Sequence, residues 1–356
     1  MTGRNIGYAF GALALSVVFF TRPAAAQPPD QEFFDGKTIS YLSASAPGSD
    51  LDRFDRMVAA EMQKALPTTV TVRNVGDHTR DDVLTRVAAA RPDGLTIASL
   101  PGAVVYEQLT GQAPVDLRRL SWIGGSAGNP HVLVVPDKSP IHAVKDLRQP
   151  GDPFVLGISR VSSSTYIETR MLQAALHLNV RVVAGFRGGD EIRSVNAGTV
   201  DAVFGPECLY RDFIDDGLAR VVLRFGAADG GDEGLAKVLR HADDGTRETL
   251  ALLQSVSALG NVTAAPPTVP PRRLQALRAM FRAAVESDDV RDAYPGALVA
   301  LGGRDVARAV SAALHPGPHA MALIRDTFDV EGGPVLASAS PRSTDRGVVS
   351  FVGAAR

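Results

Sequence analysis

The chain has 356 residues, of which 45% are hydrophobic and 21% are charged. This length suggests two domains, and this mixture of apolar and charged residues excludes a disordered chain. The formal net charge of −2 excludes a strongly basic surface for nucleic acid or for an anionic membrane. The single cysteine, Cys208, excludes an intramolecular disulfide and a metal site built from cysteines.

The first 26 residues have the order of a secretory signal peptide. Arg4 precedes a mostly apolar run at residues 6–20, and three alanines follow at residues 24–26. The alternative is a membrane anchor, which normally needs about 20 apolar residues. We therefore expect cleavage after Ala26 and export of the mature protein to the periplasm.

The rest of the chain alternates between predicted strands and helices. Apolar residues at helical spacing, such as Phe54, Val58 and Met62, predict a first helix that Pro67 ends. We predict strands at residues 38–42, 69–72, 95–100, 121–124, 131–135, 154–159, 180–184, 201–204 and 220–225. Other helices are predicted at residues 81–90, 104–109, 163–178, 191–197, 271–286, 304–314 and 319–328, with one more between 204 and 220.

This order predicts an α/β fold in which each sheet is mostly parallel and flanked by helices on both faces. The pattern restarts near residue 131, which indicates two lobes. Residues 335–356 lack periodicity, and we expect them to form a mobile tail.

Two turns that lead from a strand into a helix carry the candidate binding residues. Such turns gather at one edge of an open α/β sheet, where a helix start offers N–H groups to an anion. The first turn contains Pro47, Gly48, Ser49, Asp50 and Asp52. The second contains Ser159, Arg160, Ser162, Ser163, Ser164 and Thr165. Capping of the two helices by these hydroxyls is the alternative interpretation.

A third loop follows the predicted strand at residues 180–184. Its Arg187 is suited to a forked contact with a carboxylate, or it is a surface charge. Glu207 follows another strand, and we interpret it as structural.

The sequence lacks common motifs for phosphate binding, nucleophilic catalysis and metal binding. It contains neither a phosphate-binding GxxxxGK[ST] loop nor a Gly-x-Ser-x-Gly elbow for a nucleophilic serine. His315 and His319 are separated by Pro-Gly-Pro, so a shared helical face for a metal does not follow. We therefore expect no catalytic residue, no metal and no cofactor.

Several short segments occur in a specific order. They include FFDGKTI at residues 33–39, APGSDLD at 46–52 with Arg56 after it, and RPDGLT at 91–96. Further segments lie at residues 72–74, 121–124, 185–192, 197–201 and 265–270. In this order they resemble the extracytoplasmic solute-binding proteins of tripartite tricarboxylate transporters, the TctC or Bug-type receptors.

The resemblance implies two lobes joined by crossing strands, with a cleft that closes on a small carboxylate. The lobes are expected at residues 33–130 with 258–334, and at residues 131–257. It also implies a non-enzymatic receptor that delivers an organic acid to two integral membrane subunits; we expect a monomer. The expected ligand-binding residues are Pro47, Gly48, Ser49, Asp50, Asp52, Ser159, Arg160, Ser162, Ser163, Ser164, Thr165, Arg187, Gly188, Gly189 and Asp190.

This sequence departs from the family pattern in the first turn, where Ser49 and Asp50 replace two glycines. The change restricts the backbone and adds a negative charge beside the expected anion. One explanation is compensation by an arginine, with Arg80, Arg160 and Arg187 as candidates. The other is a less anionic ligand, or one with an amino group that pairs with Asp50.

Two other functions stay open on the sequence alone. An exported hydrolase would use Ser163 with His131 or His177, although the nucleophile elbow is missing. A diverged scaffold would present a ligand to a sensor or bind nothing small. The sequence does not name the ligand, since tricarboxylic, dicarboxylic, aromatic and amino acids all fit a polar cleft.

Overall fold

The computed structural model describes residues 30–75, 80–158, 163–186, 190–226, 233–294 and 299–328. The predicted signal peptide and the predicted tail lie outside these ranges. No helix in the described ranges is both long and apolar enough to cross a bilayer.

The described residues form eleven strands and twelve α-helices. The strands are β1 Thr38–Ser43, β2 Thr69–Asn74, β3 Thr96–Pro101, β4 Ser121–Ala127, β5 His131–Pro136, β6 Phe154–Ile158, β7 Val180–Ala184, β8 Ala202–Pro206, β9 Ala219–Phe225, β10 Leu259–Ala265 and β11 Ala300–Gly302. The helices are α1 Asp50–Ala65, α2 Arg80–Ala89, α3 Val104–Leu109, α4 Ser164–Ala175, α5 Asp190–Asn196, α6 Arg211–Asp215, α7 Glu233–Arg240, α8 Asp244–Ser257, α9 Pro271–Val285, α10 Asp288–Ala293, α11 Gly303–Ala313 and α12 Pro318–Phe328.

The strands form two sheets, each flanked by helices, which confirms the two-lobed α/β fold. The six-stranded sheet has the order β11-β4-β10-β3-β1-β2, and with its helices it is the first lobe. The five-stranded sheet has the order β7-β6-β8-β5-β9 and belongs to the second lobe. The lobe boundaries expected from the resemblance stay a prediction; α12 packs against α4 and α8.

The sheets are mixed, where the sequence predicted mostly parallel ones. β1 runs parallel to β2 and β3, and β6 runs parallel to β7 and β8. β10 is antiparallel to β3 and β4, β11 is antiparallel to β4, and β5 is antiparallel to β8 and β9. β5 and β10 are the first strands after the chain passes between the lobes, and each is antiparallel to its neighbours because a crossing strand enters its new sheet from the opposite end. β11 lies within the first lobe.

The two crossing segments lie side by side. The chain leaves the first lobe after β4 and returns to it between α8 and β10. The N–H of Gly128 donates a hydrogen bond of 2.9 Å to the carbonyl of Ala258. A Cβ atom at Gly128 would lie 1.8 Å from the carbonyl oxygen of Ser257, so only glycine fits this crossing.

Helix α1 carries the first turn and is fixed to the first lobe by its apolar face. Phe54, Val58 and Met62 are buried at helical spacing, and α1 packs against α9 and β2. Burial of each such side chain contributes about 1.5–3 kcal/mol. The turn at the start of α1 therefore sits on a rigid support at the carboxyl end of β1.

Candidate functional site

The first turn is closed by hydrogen bonds among its own residues. Gly48 has a φ of +77°, a left-handed conformation that favours glycine. Its N–H donates to Asp52 Oδ2 at 2.8 Å, and the Ser49 hydroxyl accepts from the Asp52 N–H at 3.2 Å. Ser49 is thus the N-cap of α1, as the capping interpretation predicts.

Asp52 is the centre of this arrangement. Its side chain is only 4% exposed and accepts hydrogen bonds from Arg56 Nε at 3.0 Å and from Asn74 Nδ2 at 2.8 Å. Burial by itself would raise the pKa of Asp52, but the bonds from Arg56, Gly48 and Asn74 lower it to about 2. Both carboxylate oxygens have partners, so Asp52 shapes the turn.

Asp50 is 88% exposed and pairs with Arg53, one turn later on α1. Arg53 also donates to the carbonyl of Gly48 at 2.7 Å. The negative charge that Asp50 adds to the turn is therefore balanced by Arg53. The sequence analysis had named Arg80, Arg160 and Arg187 for this role; their side chains lie outside the described part of the chain.

Only part of the second turn is described. Ser159, Arg160 and Ser162 lie outside the described residues. The hydroxyl of Ser163 accepts from the N–H of Tyr166 at 3.3 Å, which makes Ser163 the N-cap of α4. Ser164 is half-buried at the start of this helix, and Thr165 is buried.

The third loop is described only at its end. Arg187, Gly188 and Gly189 lie outside the described ranges. Asp190 is the first residue of α5 and pairs with Arg193. Among the described residues, no hydrogen bond or ion pair joins the first turn to Ser164, Thr165 or Asp190.

The first turn lies close to the second lobe at Cys208. Partial burial raises the pKa of the Cys208 thiol, Arg211 lowers it, and the negative charge of Asp50 raises it. Asp50 belongs to the first lobe and Cys208 follows β8 of the second, so the charge of Asp50 acts on a group of the other lobe. Cys208 itself is exposed.

A second contact between the lobes is buried. Glu168 on α4 is 1% exposed, and its Oε2 lies 2.5 Å from His131 Nδ1. Tyr106 of the first lobe donates to Glu168 Oε1 at 3.5 Å. Glu168 and Tyr106 were not predicted as site residues, because only the packing of α3 against the second lobe brings them together.

The contacts of the histidines bear on the hydrolase alternative. His131 is engaged by Glu168, and its ring packs edge-on against Phe204 and Phe225. His177 follows the last turn of α4 whereas Ser163 precedes the first, which separates them by about 20 Å at 1.5 Å per residue. That separation excludes His177 as a base for Ser163.

Other polar candidates are occupied by structural contacts. Glu207 pairs with Arg224, in agreement with its structural interpretation. His315 Nδ1 contacts the carbonyl of Ser311 at 2.6 Å, and the N–H of His319 donates to Glu248. The described residues contain no group of three or more acidic, histidine or cysteine side chains placed to hold a metal.

A small cavity lies inside the second lobe, away from both turns. Apolar side chains such as Leu133, Leu156, Phe204 and Leu223 line it. It is a packing defect of the second core, and it offers no donor for a carboxylate.

Comparison with known proteins places this geometry in a fold group. No protein-family model and no characterised protein matches the sequence. The structure of a TctC solute-binding protein from Polaromonas matches with a TM-score of 0.66 and 16% identity, over 82% of this chain and 98% of that one. The chain shares the TctC fold.

Two further structures of this kind contain a ligand. MatC from Rhodopseudomonas palustris with bound malate matches with a TM-score of 0.54 and 18% identity, over 81% of this chain and 99% of that one. An R. palustris protein with adipate matches with a TM-score of 0.57 and 16% identity, over 82% and 97%. At these identities the likeness concerns the fold, and it supports the resemblance found in the sequence.

Proposed function

We propose that this protein is an extracytoplasmic solute-binding receptor that captures a small organic carboxylate. The observation that carries the proposal is the first turn. It stands at the carboxyl end of β1, and the network around Asp52 holds it rigid. Preorganisation of this kind favours binding, because less conformational freedom is lost with the ligand.

The charge of the first turn suits a carboxylate. The two negative charges of Asp50 and Asp52 are matched by Arg53 and Arg56. Arg53 and Arg56 keep 61% and 51% of their side chains exposed, so each is partly accessible to solvent and to a dissolved anion. An arginine fork binds a carboxylate through two parallel hydrogen bonds.

The proposed ligand-binding set keeps the residues expected from the sequence and adds Arg53 and Arg56. In this set Asp52 holds the turn in shape. The full proposed set is Pro47, Gly48, Ser49, Asp50, Asp52, Arg53, Arg56, Ser159, Arg160, Ser162, Ser163, Ser164, Thr165, Arg187, Gly188, Gly189 and Asp190.

The fold neighbours with bound malate and bound adipate support a dicarboxylate as the class of ligand. We infer a dicarboxylate of four to six carbons, transfer of the ligand to two integral membrane subunits, and a monomeric receptor in the periplasm after cleavage at Ala26. The receptor binds without chemical conversion.

Calorimetric titration of the mature protein from Gln27 onward with malate and with adipate tests this function. We expect saturable binding of one ligand per chain and full recovery of the ligand by mass spectrometry. Arg56→Gln is expected to weaken binding about tenfold or more, because it removes a charge-assisted contact.

Arg308→Gln is the matched control, since Arg308 on α11 is also an exposed arginine paired with an aspartate. It is expected to leave the affinity unchanged. Conversion of the bound acid would contradict a receptor. Equal losses of affinity in Arg56→Gln and Arg308→Gln would contradict a role of the first turn in binding.

A further inference from the structure

A buried polar cluster lies beneath the first turn, between α1 and the first sheet. Asp55 points from α1 toward the sheet and has no exposed surface. Three buried hydroxyl residues from two strands lie next to it, Tyr41, Ser43 and Ser99, and buried Thr263 of a third strand is hydrogen-bonded to Tyr41. The sequence analysis did not single out any of these residues.

The carboxyl group of Asp55 is only half satisfied. Ser43 Oγ donates to Asp55 Oδ2 at 2.5 Å, whereas Asp55 Oδ1 has no hydrogen-bond partner among the described residues. Ser99 Oγ lies near the carboxyl group but makes no hydrogen bond of good geometry. A buried carboxylate with neither a cation nor a full set of donors is costly, and binding of a proton removes the charge.

A chain of hydroxyl and amide groups links this carboxyl group to the first turn. Ser43 Oγ lies 2.8 Å from Ser45 Oγ, and Asn74 Nδ2 donates to the carbonyl of Ser45 at 3.1 Å. The same amide of Asn74 donates to Asp52. Ser45 is half-buried and connects the buried cluster to the first turn.

The charged and titratable groups that face Asp55 are few in the described structure. On α1 itself they are Asp52 and Arg56, which are paired with each other. Tyr41 comes from β1, and Tyr294 follows α10. The buried residues of α9 that pack against α1 are apolar, so no cation compensates Asp55 from that side.

We propose that Asp55 takes up a proton from solvent when a carboxylate binds at the first turn, so that affinity for the carboxylate rises as the pH falls. The proposal rests on the proposed function and adds pH regulation to the same site. The ligand brings a negative charge to the other end of the hydroxyl chain, and this charge favours the neutral form of Asp55. By linkage, the neutral form of Asp55 favours the ligand to the same extent.

The pH range in which Asp55 gains or loses its proton lies near neutrality. Burial raises the pKa of Asp55 to about 7, although the hydroxyls of Ser43 and Ser99 partly offset the effect. At an effective dielectric constant of about 20, two unit charges about 10 Å apart change each other's binding constant by about tenfold. We therefore expect malate affinity to rise about three- to tenfold between about pH 8.5 and about pH 6.

Calorimetric titration of the mature protein with malate at both pH values tests the proposal. Repeating it in buffers of different ionisation enthalpy counts the protons taken up. Asp55→Asn mimics the neutral acid, so its affinity is expected to be independent of pH and equal to that of the wild type near pH 6. Asp288→Asn changes an exposed aspartate near the other end of α1 and is expected to behave as wild type.

A second measurement needs no variant. With aspartate labelled by carbon-13 at the carboxyl carbon, the infrared difference spectrum on malate binding near pH 7.5 is expected to gain a protonated carboxylic acid band. Malate binding with no proton uptake, or a pH dependence that persists in Asp55→Asn, overturns the proposal and leaves the proposed function intact. Absence of malate and adipate binding at every pH overturns both.

Discussion

The amide of Asn74, at the end of β2, donates a hydrogen bond of 2.8 Å to the carboxylate of Asp52 on α1. The same side chain accepts from Arg56 at 2.9 Å and donates to Ser45 at 3.1 Å. Asn74 of β2 therefore connects helix α1 with the loop between β1 and α1. It fixes the shape of the first turn without belonging to it.

Asn74→Ala is expected to lower the free energy of unfolding by about 1–3 kcal/mol, because Asp52 loses a donor while it stays buried. Malate affinity is expected to fall as the turn loosens. Denaturant unfolding and calorimetry measure the two effects. Asn179→Ala, which removes contacts with Gln149 and Gly151 in the second lobe, is the control and is expected to spare affinity.

Substitution at Asp50 and at Arg53 is expected to change affinity in opposite directions. Asp50→Asn removes a negative charge beside the bound anion and strengthens malate binding, whereas Arg53→Gln leaves Asp50 uncompensated and weakens it. We expect the affinity for malate to change about twofold to tenfold in each case, and to change less at high salt. Stability is expected to change by less than about 1 kcal/mol, since the pair is exposed. Changes of the same sign in both variants would contradict this.

The free energy of unfolding of the ligand-free protein is expected to depend on pH because of Asp55. Its pKa is about 7 in the folded state and near 3.8 in the unfolded state, so the folded protein retains a proton that the unfolded chain releases. The free energy of unfolding therefore falls as pH rises from about 4 to about 7, by about 2–4 kcal/mol, and levels off above that range. Asp55→Asn is expected to lack this decline and to exceed the wild type in stability near pH 8.5. Urea unfolding across this range provides the measurement.

Substitution of the two serines at the start of α4 is expected to distinguish a role in helix capping from a role in ligand binding. Ser163→Ala removes the N-cap and is expected to cost about 1 kcal/mol of stability in the empty protein. Ser164 has no such role, so Ser164→Ala is expected to weaken malate binding while thermal unfolding of the empty protein stays the same. Unchanged affinity in Ser164→Ala would indicate that the serines of this turn cap α4 and do not bind the ligand.

Gly128→Ala is expected to disrupt the crossing between the lobes. Its new Cβ atom would meet the carbonyl oxygen of Ser257, so the crossing backbone has to move. We expect a loss of about 2 kcal/mol or more in stability. Gly111→Ala is the control: its φ is +74° with open space around it, and it is expected to cost about 1 kcal/mol from backbone strain alone. Equal effects of the two substitutions would show that the crossing tolerates movement.

Periodicity and turn residues predicted most of the secondary structure. Every predicted strand is present, with ends that differ by at most three residues. Two strands, β10 and β11, were not predicted, although β10 is central in the first sheet between β3 and β4. Its sequence, LGNVTAA, is poor in residues that favour strands. It forms a strand because it pairs with β3 and β4 on its two sides. The N–H of Gly102 also donates a hydrogen bond of 2.6 Å to the carbonyl of Gly260 within it.

The sequence by itself determined the two α/β lobes and the places of the two strand-to-helix turns whose serines cap α1 and α4, because these depend on local spacing and on residue type. Only the tertiary structure decided which charges meet. Arg53 balances Asp50, Asn74 reaches Asp52 from another strand, and Asp55 lies buried among hydroxyls. Burial and pairing depend on residues far apart in the chain, and they set the protonation of a carboxyl group.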